Sequence, residues 1–213
     1  SGKYKVKYPT IPVRSLDKNS VLFPYEGDTY ISIPELFLAM DLKCKITIIN
    51  GVVYEWDKTI IPFEEFTKIC IEERRKSEKD GDGFSKQFWK TMVNSLYGKT
   101  AQGISSSKVR NTRKKDLENE KLGPCDLTNP PIVSITTSLT RCMVGYLMNK
   151  ITQIKPDTKI WNVTTDGFQT DFPNDIKLWN KTKNHWLMKY WTECREVIEG
   201  KKIKNVLGEV DEK

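Results

Sequence analysis

Lys86, Lys90, Asn94 and Tyr97 are the residues whose types and spacing first suggest chemistry. They lie in the stretch Lys86-Gln87-Phe88-Trp89-Lys90-Thr91-Met92-Val93-Asn94-Ser95-Leu96-Tyr97-Gly98. At about 100° per residue, a helix places the four within roughly 80° of one another. Two ammonium groups one turn apart, followed by an amide and a phenol, could hold a phosphate chain and lie against a base or sugar. Phe88, Trp89, Met92, Val93 and Leu96 fall on a separate arc of roughly 140°, so a single helix of about three turns would carry an anchoring face and a presenting face. Gly98 suits the position just past the helix end, where a left-handed backbone is common. An ordinary amphipathic helix with solvated lysines has the same periodicity, and both readings stand at this level.

The rest of the composition narrows the partners. Lys+Arg 35 against Asp+Glu 28 gives a formal net charge of +7 over 213 residues, a balance that fits an anionic partner. With 38% hydrophobic residues and six Trp, the chain can build a real core as one domain or two small ones. Cys44, Cys70, Cys125, Cys142 and Cys194 are scattered, with no Cys-x-x-Cys pair. A disulfide framework and a zinc site are therefore not indicated, and free thiols in a reducing compartment are expected. The only histidine, His185, has no partner at metal-ligand spacing, so a packed or surface role is expected. No apolar run approaches the roughly 18 to 20 residues of a membrane span, and no signal segment opens the chain. An intracellular protein with no membrane partner is the expectation. Ser1-Gly2 reads as a remnant of processing, and Lys3 to Lys7 starts inside a strand-like alternation, so a piece of a larger protein is expected.

Several elements must position the helix. Tyr4 to Tyr8 alternates as a strand. Val21-Leu22-Phe23 and Thr29-Tyr30-Ile31 read as short strands around a turn, and Ser32 with Pro34 marks a helix start. Cys44 to Ile49 and Val52 to Trp56 read as a hairpin about Asn50-Gly51. Pro62 opens a helix carrying Phe63, Phe66, Ile69 and Cys70 and ending near Arg74-Arg75-Lys76, and Gly81-Asp82-Gly83 stops it. The Lys86–Tyr97 helix follows at once, predicting an antiparallel helical hairpin. Residues 105–121, with Lys108, Arg110, Arg113, Lys114 and Lys115, read as a surface loop, either solvated or in contact with a nucleic-acid backbone. A helix is predicted from Thr136 to Asn149, with Arg141 among its apolar residues. Strand-like runs 159–164 and 168–172 flank Asp166-Gly167, a two-residue turn candidate. The remainder reads as one helix with Trp186, Met188, Tyr190 and Trp191, then a charged tail.

Lys90-x-x-x-Asn94-Ser95-Leu96-Tyr97-Gly98 resembles the Lys-x-x-x-Asn-Ser-x-Tyr-Gly motif of family B DNA polymerases at every fixed position. Thr164-Thr165-Asp166-Gly167 resembles a variant of their Asp-Thr-Asp-Ser turn. The order is that of the family, with the helix beginning Ile135-Thr136-Thr137-Ser138-Leu139-Thr140-Arg141 between the two. Within the family the chain resembles the protein-primed viral and plasmid group, where Lys86 also matches a nucleotide-binding lysine. The resemblance covers about Pro62 to Phe172.

That resemblance implies an α+β fold: a polymerase palm-type antiparallel sheet with a two-helix fingers hairpin. Residues 1–61 would be a palm segment with β-hairpins, 62–98 the fingers, and 99–213 the palm continuation carrying the metal-binding turn. It implies a DNA-directed DNA polymerase acting on a DNA primer-template with deoxynucleoside triphosphates and Mg²⁺, with a priming protein as a further partner. Lys86 and Lys90 would hold the triphosphate, Asn94 and Tyr97 would face the nascent base pair, and Asp166 would be the catalytic, metal-binding carboxylate. Thr164 stands where the family has its first aspartate. Two Mg²⁺ ions need more than one carboxylate. Asp17-Lys18-Asn19-Ser20-Val21-Leu22-Phe23-Pro24 resembles the family's Asp-x-x-Ser-Leu-Tyr-Pro stretch, but with one residue too many. The second carboxylate is expected upstream of residue 1, with Asp17 as the alternative, and the isolated chain is expected to be inactive. A non-catalytic, polymerase-derived nucleic-acid-binding module is the alternative.

Overall fold

Ser32, Pro34 and Glu35 start a helix where the sequence predicts one. In the computed structural model, α1 runs Ile33–Asp41, and the Glu35 carboxylate accepts the Ser32 backbone N–H at 2.8 Å. The structure describes residues 2–5, 11, 13–14, 21–55, 57, 61–104, 108–110, 119–164, 166–173 and 175–207. Asp17, Arg113, Lys114, Lys115, Trp56, residues 6–8 of the first predicted strand and the 208–213 tail lie outside them.

The described chain divides into two compact units, residues 1–53 with 135–213, and residues 54–134. In the first, β1 (Gly2–Lys5) is the centre of an antiparallel three-stranded sheet between β4 (Glu26–Thr29) and β5 (Lys45–Ile48). β2 (Val13–Arg14) pairs with β3 (Val21–Leu22). Two sequence expectations fail here. Val21–Leu22 and the strand after it join different sheets rather than one hairpin, and that second strand begins at Glu26 rather than Thr29. Among the described residues the Asn50-Gly51 hairpin also does not form; β5 pairs instead with β1, Lys5 opposite Lys45 and Gly2 opposite Ile48. Val52, Val53 and Tyr54 are left exposed and outside any strand.

The core of this unit lies between α1, α4 (Pro130–Ile154), α5 (Asp175–Thr182) and α6 (Trp186–Glu199). Leu38, Cys142, Tyr146, Leu147, Leu187 and Met188 are buried together there, with Trp179, Trp186 and Trp191 packed against them. The predicted single C-terminal helix is two helices. Residues 183–185 break it, and His185 becomes the cap of α6. Burial beside Glu35 pushes the Cys142 thiol up to about 12, and all five cysteines are free.

The second unit is a helical hairpin, α2 (Glu64–Lys79) and α3 (Gly83–Thr100), followed by strands β6 (Lys108–Arg110) and β7 (Asn119–Lys121). The link turns at Gly81, φ +70°, and Asp82 caps α3 by accepting the Ser85 N–H at 3.0 Å. The residues read as a surface loop thus include a short paired hairpin, with Lys108 opposite Lys121. Six helices and small antiparallel sheets make the fold mixed α+β among the described residues. No described helix is long and apolar enough to cross a membrane.

Candidate functional site

α3 sorts its side chains much as the periodicity predicts. Trp89, Met92, Val93 and Leu96 are half-buried, whereas Lys90, Asn94 and Tyr97 are exposed along the other side. Phe88, assigned to the anchoring arc, is 48% exposed and meets Trp89 edge-on with centroids 5.2 Å apart. Lys86 is engaged within the hairpin: its Nζ lies 2.6 Å from the Glu78 carboxylate on α2. Both partners remain well exposed, so the pair is a weak tether that a phosphate could displace. Among the described residues Lys90 makes no ion pair.

Gly98 corrects a sequence expectation. It lies inside α3, its φ is not positive, and a Cβ added there would meet nothing within 4 Å. The left-handed residue is Gly103, φ +75°, where a Cβ would stand 2.3 Å from the Pro124 nitrogen. Tertiary hydrogen bonds fix the true helix end: Asn129 N–H donates to the Thr100 carbonyl at 2.9 Å, the Thr128 hydroxyl to the Gln102 carbonyl at 2.9 Å, and the Gln102 amide to the Gly123 carbonyl at 2.9 Å. Gly98 therefore leaves a bare patch on α3 beside Tyr97.

In the first unit, β8 (Ile160–Val163) and β9 (Phe168–Thr170) pair antiparallel, with Val163 opposite Phe168. The Thr164 backbone N–H donates to the Gly167 carbonyl at 2.8 Å. The turn therefore closes on Thr164 and Gly167, one residue earlier than an Asp166-Gly167 turn would, and Asp166 stands at the exposed apex. The Thr164 hydroxyl reaches the Gly167 carbonyl at 3.1 Å and Asp166 Oδ1 at 3.4 Å. A recess of about 160 Å³ lies behind the turn, walled by Met143, Val144, Leu147, Phe168, Trp191 and Leu207. Asp166 and Gly167 form the rest of its rim with Thr140, so the carboxylate borders a largely apolar recess.

Arg141, interleaved among the apolar residues of α4, is an anchor for α1. Its guanidinium lies 2.9 Å from the Glu35 carboxylate, which is 1% exposed. No local pattern announces this pairing, because the two residues are over a hundred positions apart. Among the described residues no group of three or more His, Cys, Asp or Glu side chains could hold a metal ion.

The sequence profile described as DNA polymerase type B, organellar and viral, matches residues 2–165. The chain belongs to this family of type B DNA polymerases. This type B chain is 34% identical over 178 residues to the primer-independent DNA polymerase PolB of Escherichia coli. The match covers 80% of the chain and 20% of that relative, so the chain spans about a fifth of the relative's length. No solved structure matches the type B chain.

Proposed function

We propose that this chain supplies the nucleotide-binding helix and the metal-binding turn of a DNA-directed DNA polymerase that extends a primer 3′-end with deoxynucleotides. The observation that carries the reading is α3, where the family motif Lys90-x-x-x-Asn94-Ser95-Leu96-Tyr97-Gly98 projects Lys90, Asn94 and Tyr97 outward from a half-buried opposite face. In this reading α2 and α3 are the fingers, and the β8–β9 hairpin with α4 belongs to the palm.

Lys90, and Lys86 once released from Glu78, neutralise the triphosphate oxygens and orient the α-phosphate. Asn94 and Tyr97 lie against the nascent base pair. Asp166 is a hard oxygen donor of the kind Mg²⁺ takes, exposed and apical, and so suited to one side of a metal site. Two bound Mg²⁺ ions would stabilise the attacking and leaving oxygens. In this reading further carboxylate donors complete the metal site with Asp166, and the 213-residue chain alone is expected not to extend a primer; extension by it would overturn that expectation.

The second reading, a nucleic-acid-binding module without catalysis, is favoured by Thr164 at the first turn position and by the net charge of +7. Asp166→Ala in the intact protein separates the two. Loss of extension by about 10³-fold or more with DNA binding retained supports catalysis; unchanged extension removes Asp166 from the mechanism. Initiation is a further choice. The Escherichia coli relative is named primer-independent, whereas the group resemblance implies a priming protein. Synthesis by the intact protein from template and triphosphates alone favours the former, and dependence on an added protein the latter.

A further inference from the structure

The chain's only histidine sits where three helices of one unit meet. The His185 ring stacks on Tyr146 of α4, centroids 3.9 Å apart and planes 17° from parallel. Its Nε2 lies 3.3 Å from Asp41 Oδ2 at the end of α1. Its Nδ1 accepts the Leu187 backbone N–H at 3.4 Å, capping the first turn of α6. The next residue, Trp186, donates its indole N–H to the same Asp41 oxygen. These contacts assign the tautomer, because a nitrogen that accepts from a backbone N–H carries no proton and the one facing a carboxylate does. Leu187 and Met188, 1% and 0% exposed, follow directly. The cap therefore fixes the segment that inserts α6 into the core, and about one turn further on α6 carries Trp191, a wall of the recess beside Asp166.

We infer that neutral His185, protonated on Nε2, clasps the start of α6 to α1 and α4 and through α6 positions the Trp191 wall behind the Asp166 turn, so that a second proton releases the clasp. That proton would add an N–H at Nδ1 facing the N–H of Leu187 and end the cap. The charged and titratable groups facing the ring are Asp41 on α1 and Tyr146 and Lys150 on α4, with the Lys150 ammonium 5.5 Å from the Tyr146 ring centre. Burial foremost, with Lys150, holds the imidazole's proton affinity below its usual value although Asp41 opposes the shift. His185 is a positioning residue in this scheme, and only its link to catalysis rests on the role proposed for Asp166.

The test begins with the 213-residue chain and ¹⁵N resonances of the imidazole. At neutral pH Nε2 is expected to carry the proton and Nδ1 to be bare, with a titration midpoint below 6.5. Exchange of the Leu187 and Met188 amides should speed up several-fold with the same midpoint, the size set by loss of one helix cap. His185→Asn, which can still cap, should keep these amides protected with no step in that range, and His185→Ala should expose them at every pH. A proton on Nδ1 at neutral pH, or protection indifferent to the titration, overturns the clasp. In the intact protein, His185→Asn should shift the acid limb of extension. An unshifted limb beside an intact clasp overturns only the link to Asp166, and failure of the polymerase reading is told apart by Asp166→Ala leaving extension unchanged.

Discussion

Lys90, Asn94 and Tyr97 stand on an 18-residue helix, whereas Asp166 stands at the tip of a hairpin whose strands have four and three residues. A helix that long pairs its interior backbone groups and spaces its side chains by its own geometry, only its ends drawing on residues elsewhere. A two-stranded hairpin is marginal by itself and holds its shape only through what lies behind it. The supports differ accordingly. Behind the hairpin is a core containing Cys142, Met143, Tyr146, Leu147, Ile151, Leu187 and Met188. The α2–α3 pair buries only Cys70, Ser77 and Thr100 among its described side chains and otherwise relies on half-buried residues such as Phe66 and Trp89. The residues proposed to bind nucleotide are thus positioned by local geometry, and the carboxylate proposed to bind metal by distant packing.

Core truncations should break that contrast most sharply. Met188 is fully buried, and Met188→Ala should cost about 3 kcal/mol through lost transfer energy and the cavity left behind. Half-buried Trp89→Ala should cost about 1.5 kcal/mol despite removing a larger side chain. Urea unfolding of both variants measures the difference, and equal costs would mean that the helical pair has a core as deep as the other unit's. Next in size is the Glu35–Arg141 pair. Arg141→Ala strands a carboxylate that is 1% exposed, and about 2–3 kcal/mol should be lost. Adding Glu35→Gln should recover part of that loss, and a double-mutant cycle with no coupling would show that the pair does not hold α1 to α4.

The same contrast decides what could be read from sequence. The α3 face was legible because its spacing depends on residues within the helix, and the Ser32 and Pro34 start of α1 is equally local. The end of α3 was not, since Asn129, Thr128 and Gly123 set it from more than twenty residues away. Asn50-Gly51 misled because β5 finds its partner in β1, a strand forty or more residues away, while Val52 to Glu55 form no strand. Nothing in Lys183-Asn184-His185 marks a break by glycine or proline; capping of α6 by His185 produces it. The Asp166 turn was placed to within one residue, but its apolar backing from α4 and α6 was not visible.

A smaller effect, and one confined to the packed unit, should appear with pH. The imidazole of His185 binds its proton less readily folded than unfolded. Its contribution to stability is therefore complete above the ordinary value near 6.5 and declines as pH falls from there toward the folded value. Asp82 and Glu196, held below the usual carboxylate range by hydrogen bonds from Ser85 and Lys202, titrate below that window. Unfolding free energy should thus decline as pH falls below about 6.5 in the native chain and stay flat over the same range in His185→Asn; a slope common to both would assign it to other groups.

Gly98→Ala sharpens the contrast from the other side, because on a self-sufficient helix stability and function can be moved in opposite directions. A methyl at Gly98 meets nothing within 4 Å and needs no unusual backbone. The substitution should therefore stabilise α3 by roughly 0.5–1 kcal/mol and raise Tm by roughly 1–3 °C. Retaining glycine at such a position costs the helix stability, and the bare patch next to Tyr97 is where a base pair would approach. If that approach is what the glycine permits, the variant should unfold later yet show a triphosphate KM raised by about tenfold in the intact protein, equivalent to ~1.4 kcal/mol of lost binding. A variant both more stable and kinetically unchanged would leave Lys90, Asn94 and Tyr97 on an outward face with no ligand lying across Gly98, and the α3 surface would revert to a solvated one.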